Sequence, residues 1–225
     1  MKISVVIAAY NEEKSIGNCL DNILNQTKKP YEIIVVDNNS TDKTAEVLKK
    51  YKNVKVVFEK KQGIIPARNS GFEKAKGDII ARCDADTLVP QDWLEKIEKA
   101  FSENDSVVAS SMPVLIHDIP PIGDKPKFLF YTYMFIPRIF IGHYPLLGPT
   151  MAVKKSAWDK IKKELCTDPR TVHEDLDISF HIRKLGRVYH DNENLVLTSG
   201  RRMKYNPWSF FGEYTVRFFK MLRNH

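Results

Sequence analysis

The sequence has few cysteines, no glycine-rich phosphate loop and no long apolar run, and each shortage removes a class of protein. Its 3 cysteines, Cys19, Cys83 and Cys166, lie far apart. They make no Cys-x-x-Cys pair and no finger-like metal spacing, which points to a reducing compartment. Gly-x-Gly-x-x-Gly does not follow the first apolar stretch, and no Gly-Lys-Ser or Gly-Lys-Thr occurs. A dinucleotide-dependent dehydrogenase and a phosphate-loop NTPase are therefore disfavoured. The opening run Ile3 to Ala9 is of strand length and too short for a secretory leader, so no leader is expected. Phe128–Leu147 has the length of a spanning helix, but Pro137, Arg138, Gly142, His143 and Pro145 interrupt it. Neither an internal repeat nor a low-complexity segment is present.

What remains is an ordinary globular composition, 43% hydrophobic over 225 residues, with a net charge of +7. That length can bury one large α/β domain. The positive balance suits acidic partners such as nucleotide phosphates or an anionic membrane. No zinc finger and no RNA-binding aromatic motif supports nucleic acid.

Apolar strand-like runs alternate with helical patterns through the first half. Ile3–Ala8, Tyr31–Val36, Val54–Phe58 and Asp78–Cys83 read as strands. Between them, Asn11 is placed to cap a helix carrying Ile16, Leu20, Ile23 and Leu24 on one face. Ser40 or Thr41 is placed to cap a helix over Lys43–Tyr51, and Pro66–Lys74 reads as a third helix. Strands apolar throughout, in β-α-β order, predict a doubly wound, mostly parallel sheet with helices on both faces. Beyond Met112 prolines break the pattern, Gly148–Val153 reads as a strand and His173–Leu185 as a helix. The expected organisation is one domain: residues 1–112 for a nucleotide-bearing donor, 113–200 for an acceptor, and a basic, aromatic tail over 201–225.

Chemistry-bearing residues gather at predicted strand ends, the edge where open α/β sheets collect ligands. Asp84-Ala85-Asp86 ends one strand, Ala9-Tyr10-Asn11-Glu12 another, and Asp37-Asn38-Asn39-Ser40-Thr41-Asp42 a third. Carboxylates spaced like Asp84 and Asp86 can hold Mg²⁺ or Mn²⁺ against a diphosphate. Arg68 and the pair Arg201-Arg202 are candidate guanidinium forks for phosphate oxygens. His173-Glu174-Asp175 precedes a helix, where the dipole favours carboxylates. His190 is a further candidate for the metal site.

These motifs, in this order, resemble family 2 glycosyltransferases over about residues 2 to 202. The resemblance implies a GT-A fold, an inverting reaction and a UDP- or GDP-sugar donor. It implies donor contacts from Ala9, Tyr10, Glu12, Asp37, Arg68, Asp84, Ala85, Glu174, Arg201 and Arg202, and a metal on Asp86 and Asp84. Asp175 is implied as the base for a sugar or lipid-linked acceptor. Arg201-Arg202-Met203-Lys204 lacks the Trp of the processive polymer synthases, which argues for transfer of one sugar. Two other readings fit the same residues: a sugar-binding GT-A protein without catalysis, and a nucleotidyltransferase. In the tail, Phe211, Tyr214, Phe218 and Leu222 recur at helical spacing among Arg217, Lys220 and Arg223. That pattern suits a helix lying in the headgroup layer of the cytoplasmic leaflet.

Overall fold

The computed structural model describes residues 1–116, 126–200 and 212–224. The first strands are β1 (Ile3–Ala9), β2 (Glu32–Asp37), β3 (Val54–Phe58) and β4 (Ile79–Asp84). Between them run α1 (Ile16–Leu24), α2 (Thr44–Leu48) and α3 (Ile64–Lys74), and α4 (Trp93–Ser102) follows β4. The later elements are β5 (Val107–Ser111), β6 (Val114–Ile116), α5 (Pro126–Ile141), β7 (Ala152–Lys154), α6 (Lys155–Ile161) and α7 (Glu174–Ile182). Then come β8 (Arg187–His190), β9 (Val196–Thr198) and α8 (Tyr214–Asn224).

Seven strands form one sheet in the order β3-β2-β1-β4-β7-β5-β8, and β6 pairs with β9 in a small parallel sheet. All neighbours in the large sheet are parallel except β7, which runs antiparallel to both β4 and β5. The sheet is mostly parallel, as the sequence predicts. Not foreseen are β5, just before the proline-rich half, and β6, β8 and β9 within it, short strands whose periodicity is too brief to read.

Strand alternation sorts the core into two layers. Ile3, Val5 and Ile7 of β1, Ile33 and Val35 of β2, and Ile79, Ala81 and Cys83 of β4 pack on one face with α1 and α4. Val6, Ile34, Val36 and Ile80 face the other way, onto α3, α6 and α7. The fully buried Trp93 and Phe101 belong to the first layer, Phe72 and Trp158 to the second. Each such ring removes enough apolar surface from water to contribute about 2–3 kcal/mol. Helix α3 lies close on β1 because residue 71 is glycine, where a Cβ would come within 2.4 Å of a Val6 methyl.

Two capping expectations are corrected. Asn11 does not cap α1, which starts five positions later at Ile16. Ser40 and Thr41 do not cap α2; the Asp42 carboxylate accepts from the Thr44 N–H at 2.9 Å in their place. The displaced side chains hold the loops of the sheet edge together instead.

Candidate active site

Strand register brings the predicted donor residues to one edge. Ala9 pairs with Asp37, and Ala8 with Asp84, so β1, β2 and β4 end side by side. Tyr10 and Ala85, the next residues along, begin the loops above that edge. Tyr10 is exposed and Asp37 is buried, accepting from the Ser40 N–H at 3.0 Å.

The two loops are laced to each other. The Asn11 side chain accepts from the Thr41 N–H at 2.8 Å, and the Asn11 N–H donates to Ser40 Oγ at 3.1 Å. The Glu12 N–H donates to Thr44 Oγ1 at 2.8 Å, and the Lys43 N–H to Glu13 at 3.0 Å. Asn11 and Asn39 have φ of 55° and 61°, a left-handed conformation that Asn accepts more readily than most residues. The Glu12 carboxylate accepts from Ser15 Oγ at 2.5 Å.

A buried ionic cluster lies beneath the edge. Arg82 and Asp84 leave the same face of β4 and pair at 3.2 Å. Glu174, at the start of α7, accepts from Arg82 at 2.5 Å and from Arg68 of α3 at 2.8 Å. One carboxylate thus joins a strand and two helices that pack on the same side of the sheet. The sequence reading takes Arg68 as an open phosphate ligand. Instead its side chain is only 1% exposed, bonded to Glu174 and Asn69 and stacked 5.3 Å from the Trp158 ring. Burial lowers its pKa while Glu174 opposes the shift. Loss of solvent raises the Asp84 carboxyl, with Arg82 opposing; the side chain stays 35% exposed, so water moderates the effect. Arg82 was not singled out from sequence. The available signal was a charged residue inside an apolar strand, two positions before an acid and so on the same face.

Asp175 follows Glu174 in the first turn of α7. Its carboxylate bonds to His173 Nδ1, accepts from the Leu176 N–H at 2.9 Å and from the Gly148 N–H at 3.2 Å. Burial alone would raise its pKa, but His173, Arg82 and the Gly148 amide outweigh it and hold the group at about 2. The loop before β7 is clamped to α7 a second time, where the Leu146 N–H donates to Ser179 Oγ at 2.8 Å. A Cβ at Gly148 would lie 2.7 Å from an Arg82 nitrogen, so a larger residue there would have to displace that guanidinium from Glu174. Gly148, Ser179 and His173 are site residues that the sequence reading did not assign.

Asp86 sits in the loop after β4, and its Oδ1 accepts from Thr198 Oγ1 at 3.4 Å. Leu88 and Leu197 exchange backbone hydrogen bonds of 2.8 and 3.0 Å, so β9 pins that loop. Arg201 and Arg202 lie outside the described residues; Thr198 stands three positions ahead of Arg201 in the chain. His190 ends β8, three strand steps from β4, roughly 14 Å at the usual strand spacing. Its ring packs 4.7 Å from Tyr144, and burial, with Arg138 nearby, lowers its pKa to about 4. Among the described residues no group of three or more His, Cys, Asp or Glu joins His190 to Asp86.

A sheet of this order, with acids at its strand ends and a carboxylate-bearing helix alongside, is the architecture of a GT-A glycosyltransferase. The sequence model described as glycosyl transferase family 2 matches residues 4–158, and the chain belongs to that family. A putative glycosyltransferase of Bacillus subtilis strain 168, EpsH, is 34% identical over 185 residues, 80% of this chain and 51% of that protein. A dolichyl N-acetyl-alpha-D-glucosaminyl phosphate 3-beta-D-2,3-diacetamido-2,3-dideoxy-beta-D-glucuronosyltransferase of Methanococcus voltae is 38% identical over 223 residues, 86% of this chain and 65% of that protein. Among solved structures, the mannosyltransferase PcManGT of Pyrobaculum calidifontis, in complex with GDP-Man and Mn²⁺, superposes with a TM-score of 0.75 at 22% identity. All of this chain and 64% of that one are covered. The chain therefore spans about half to two-thirds of the length of these relatives.

Proposed function

We propose that the protein is an inverting, metal-dependent glycosyltransferase that moves one sugar from a UDP- or GDP-sugar to an acceptor hydroxyl. The single observation that carries this reading is the Asp175 carboxylate, buried in the first turn of α7 and held there by His173 and by the Leu176 and Gly148 N–H groups. The proposed acceptor is a lipid-linked or membrane-anchored sugar, reached by a peripheral enzyme at the cytoplasmic face of the cell membrane.

In the proposed reaction the acceptor oxygen attacks the anomeric carbon from the side opposite the diphosphate. Its proton passes to Asp175, the bond from anomeric carbon to diphosphate oxygen breaks, and the nucleoside diphosphate leaves with inverted product configuration. A carboxylate held at about 2 is a weak base towards a resting hydroxyl. It suffices once the forming bond has acidified that hydroxyl, which is when general-base help counts. Glu174 and Arg68 act by positioning: they fix Arg82, which fixes Asp84 at the sugar. Ala9, Tyr10, Glu12, Asp37 and Ala85 line the nucleoside end, and Arg201 and Arg202 are the proposed phosphate partners.

The donor chemistry of the acids fits a hard divalent cation. Asp84, at the end of β4, and Asp86, two positions on, would supply carboxylate oxygens, and Mg²⁺ or Mn²⁺ binds through one or two such groups with phosphates completing its shell. Among the described residues no cluster of three or more His, Cys, Asp or Glu forms a site without substrate. The cation would neutralise the leaving diphosphate. Asp86→Ala is expected to abolish the gain in donor affinity on Mn²⁺ addition, measured by calorimetry. Equal affinities with Mn²⁺ and with EDTA in the parent would remove the metal from the proposal.

The function is tested by nucleoside diphosphate release across a panel of nucleotide sugars with Mn²⁺ or Mg²⁺. Release that depends on one donor and on added acceptor is expected. Pyrophosphate exchange instead would favour a nucleotidyltransferase, and donor binding without turnover on any acceptor a sugar-binding protein.

A further inference from the structure

We infer that the outward faces of α5 and α8 form one docking surface whose partner is the headgroup layer of an anionic lipid bilayer. The inference deepens the proposed membrane-anchored acceptor and rests on that reading. The sequence places Phe218 and Leu222 on the membrane side of the tail helix. The structure corrects this: Phe218 and Met221 are buried with Ile141, Val172 and Leu176, and Leu222 packs against them. Phe211 lies outside the described residues. The face of α8 left outside carries Val216, Phe219, Lys220 and Arg223, at spacing i, i+3, i+4, i+7.

Phe140 meets Phe218 with ring centroids 5.9 Å apart, which sets α5 beside α8. On α5, Phe135, Ile136, Ile139 and Phe140 are exposed, and with Val216 and Phe219 they make six large apolar side chains 48–62% exposed. A cluster of that size on a soluble surface marks a partner. Helix α5 has 16 residues, about 24 Å, and runs through Pro137. Among the described residues no helix is long and apolar enough to cross a membrane.

Charge selects the partner. The segments Pro126–Ile141 and Tyr214–Asn224 hold five basic residues, Lys127, Arg138, Arg217, Lys220 and Arg223, and no acid; Glu213, one position before α8, pairs with Arg217 at 2.9 Å, and Lys220 and Arg223 are the cations of the outward α8 face. A two-fold pairing of this face with a second copy would set these cations against one another. Anionic headgroups complement them while the apolar side chains enter the acyl boundary.

Vesicle co-sedimentation tests the inference with no donor or acceptor present. The parent is expected to bind phosphatidylglycerol vesicles at low salt and to release them at high salt or on pure phosphatidylcholine. Lys220→Glu with Arg223→Glu should weaken binding by about fivefold or more per residue. Ile139→Asp with Phe219→Asp should weaken it by at least roughly tenfold, with thermal unfolding checked to show that both variants stay folded. Failure of the parent to bind anionic vesicles overturns the inference. So does binding indifferent to residues 139 and 219, or a concentration-dependent dimer that the aspartates dissolve. Nucleoside diphosphate release with a soluble acceptor is read in parallel. If release persists while vesicle binding fails, the docking surface falls and the transferase reading stands.

Discussion

Asp175→Asn is expected to keep donor binding while turnover falls by roughly 10² to 10⁴-fold, the usual size of a general-base contribution. The amide matches the carboxylate in shape and can still accept from the Gly148 or the Leu176 N–H, bonds of 3.2 and 2.9 Å in the parent. It cannot take the acceptor proton. Calorimetry of donor binding separates the lost chemical step from lost folding. Near-parental turnover rules Asp175 out as the base, and NMR of a product with retained anomeric configuration rejects inversion. The same substitution has a pH signature. The folded carboxyl titrates at about 2 against an ordinary 3.8, so its stabilisation is complete above pH 3.8 and disappears as pH falls towards 2. The Asn variant should therefore lose less stability than the parent across that acid window.

Glu174→Ala is expected to cost about 3–5 kcal/mol, because it takes the carboxylate from buried Arg68 and leaves buried Arg82 with Asp84 alone. Arg68 and Arg82 are 1% and 4% exposed at the side chain, so water cannot replace the lost partner. For a domain of this size the melting temperature should fall by roughly 10 °C. The double change Arg68→Met with Glu174→Met should recover much of that loss, since the buried Arg68 charge is then gone while Arg82 keeps Asp84 at 3.2 Å. A drop of under about 1 kcal/mol in the alanine variant would show that the cluster is better hydrated than its burial implies.

The first half of the fold is legible in sequence because β1, β2 and β4 are buried on both faces and read as unbroken apolar runs. β3 was found with its residue bounds, Val54–Phe58. The second half is read less fully: β6 and β9 have three residues each and carry no period, while β7 falls at the end of the run Gly148–Val153 that reads as a strand. Proline misled at Pro137, which lies inside a continuous helix. Capping residues misled at Asn11 and Ser40, because a side chain suited to a helix end serves equally to tie two loops together. At the candidate site the acids could be read from their places at strand and helix ends. Arg68's burial could not: its partners Glu174 and Trp158 are about 90 or more positions away in the chain, and only the packing of α3, α6 and α7 on one face brings them within reach.

Strand β7 has a mechanical consequence. It comes from the acceptor half of the sequence yet is bonded on both sides, at Ala81 of β4 and at Ser110 of β5. A hinge between the proposed donor and acceptor halves would have to break that seam, where Ala152 and Val153 of β7 are fully buried. Substrate entry and product exit therefore fall to the loops above the strand ends. In the proposed transferase, turnover is then expected to follow how often those loops lift.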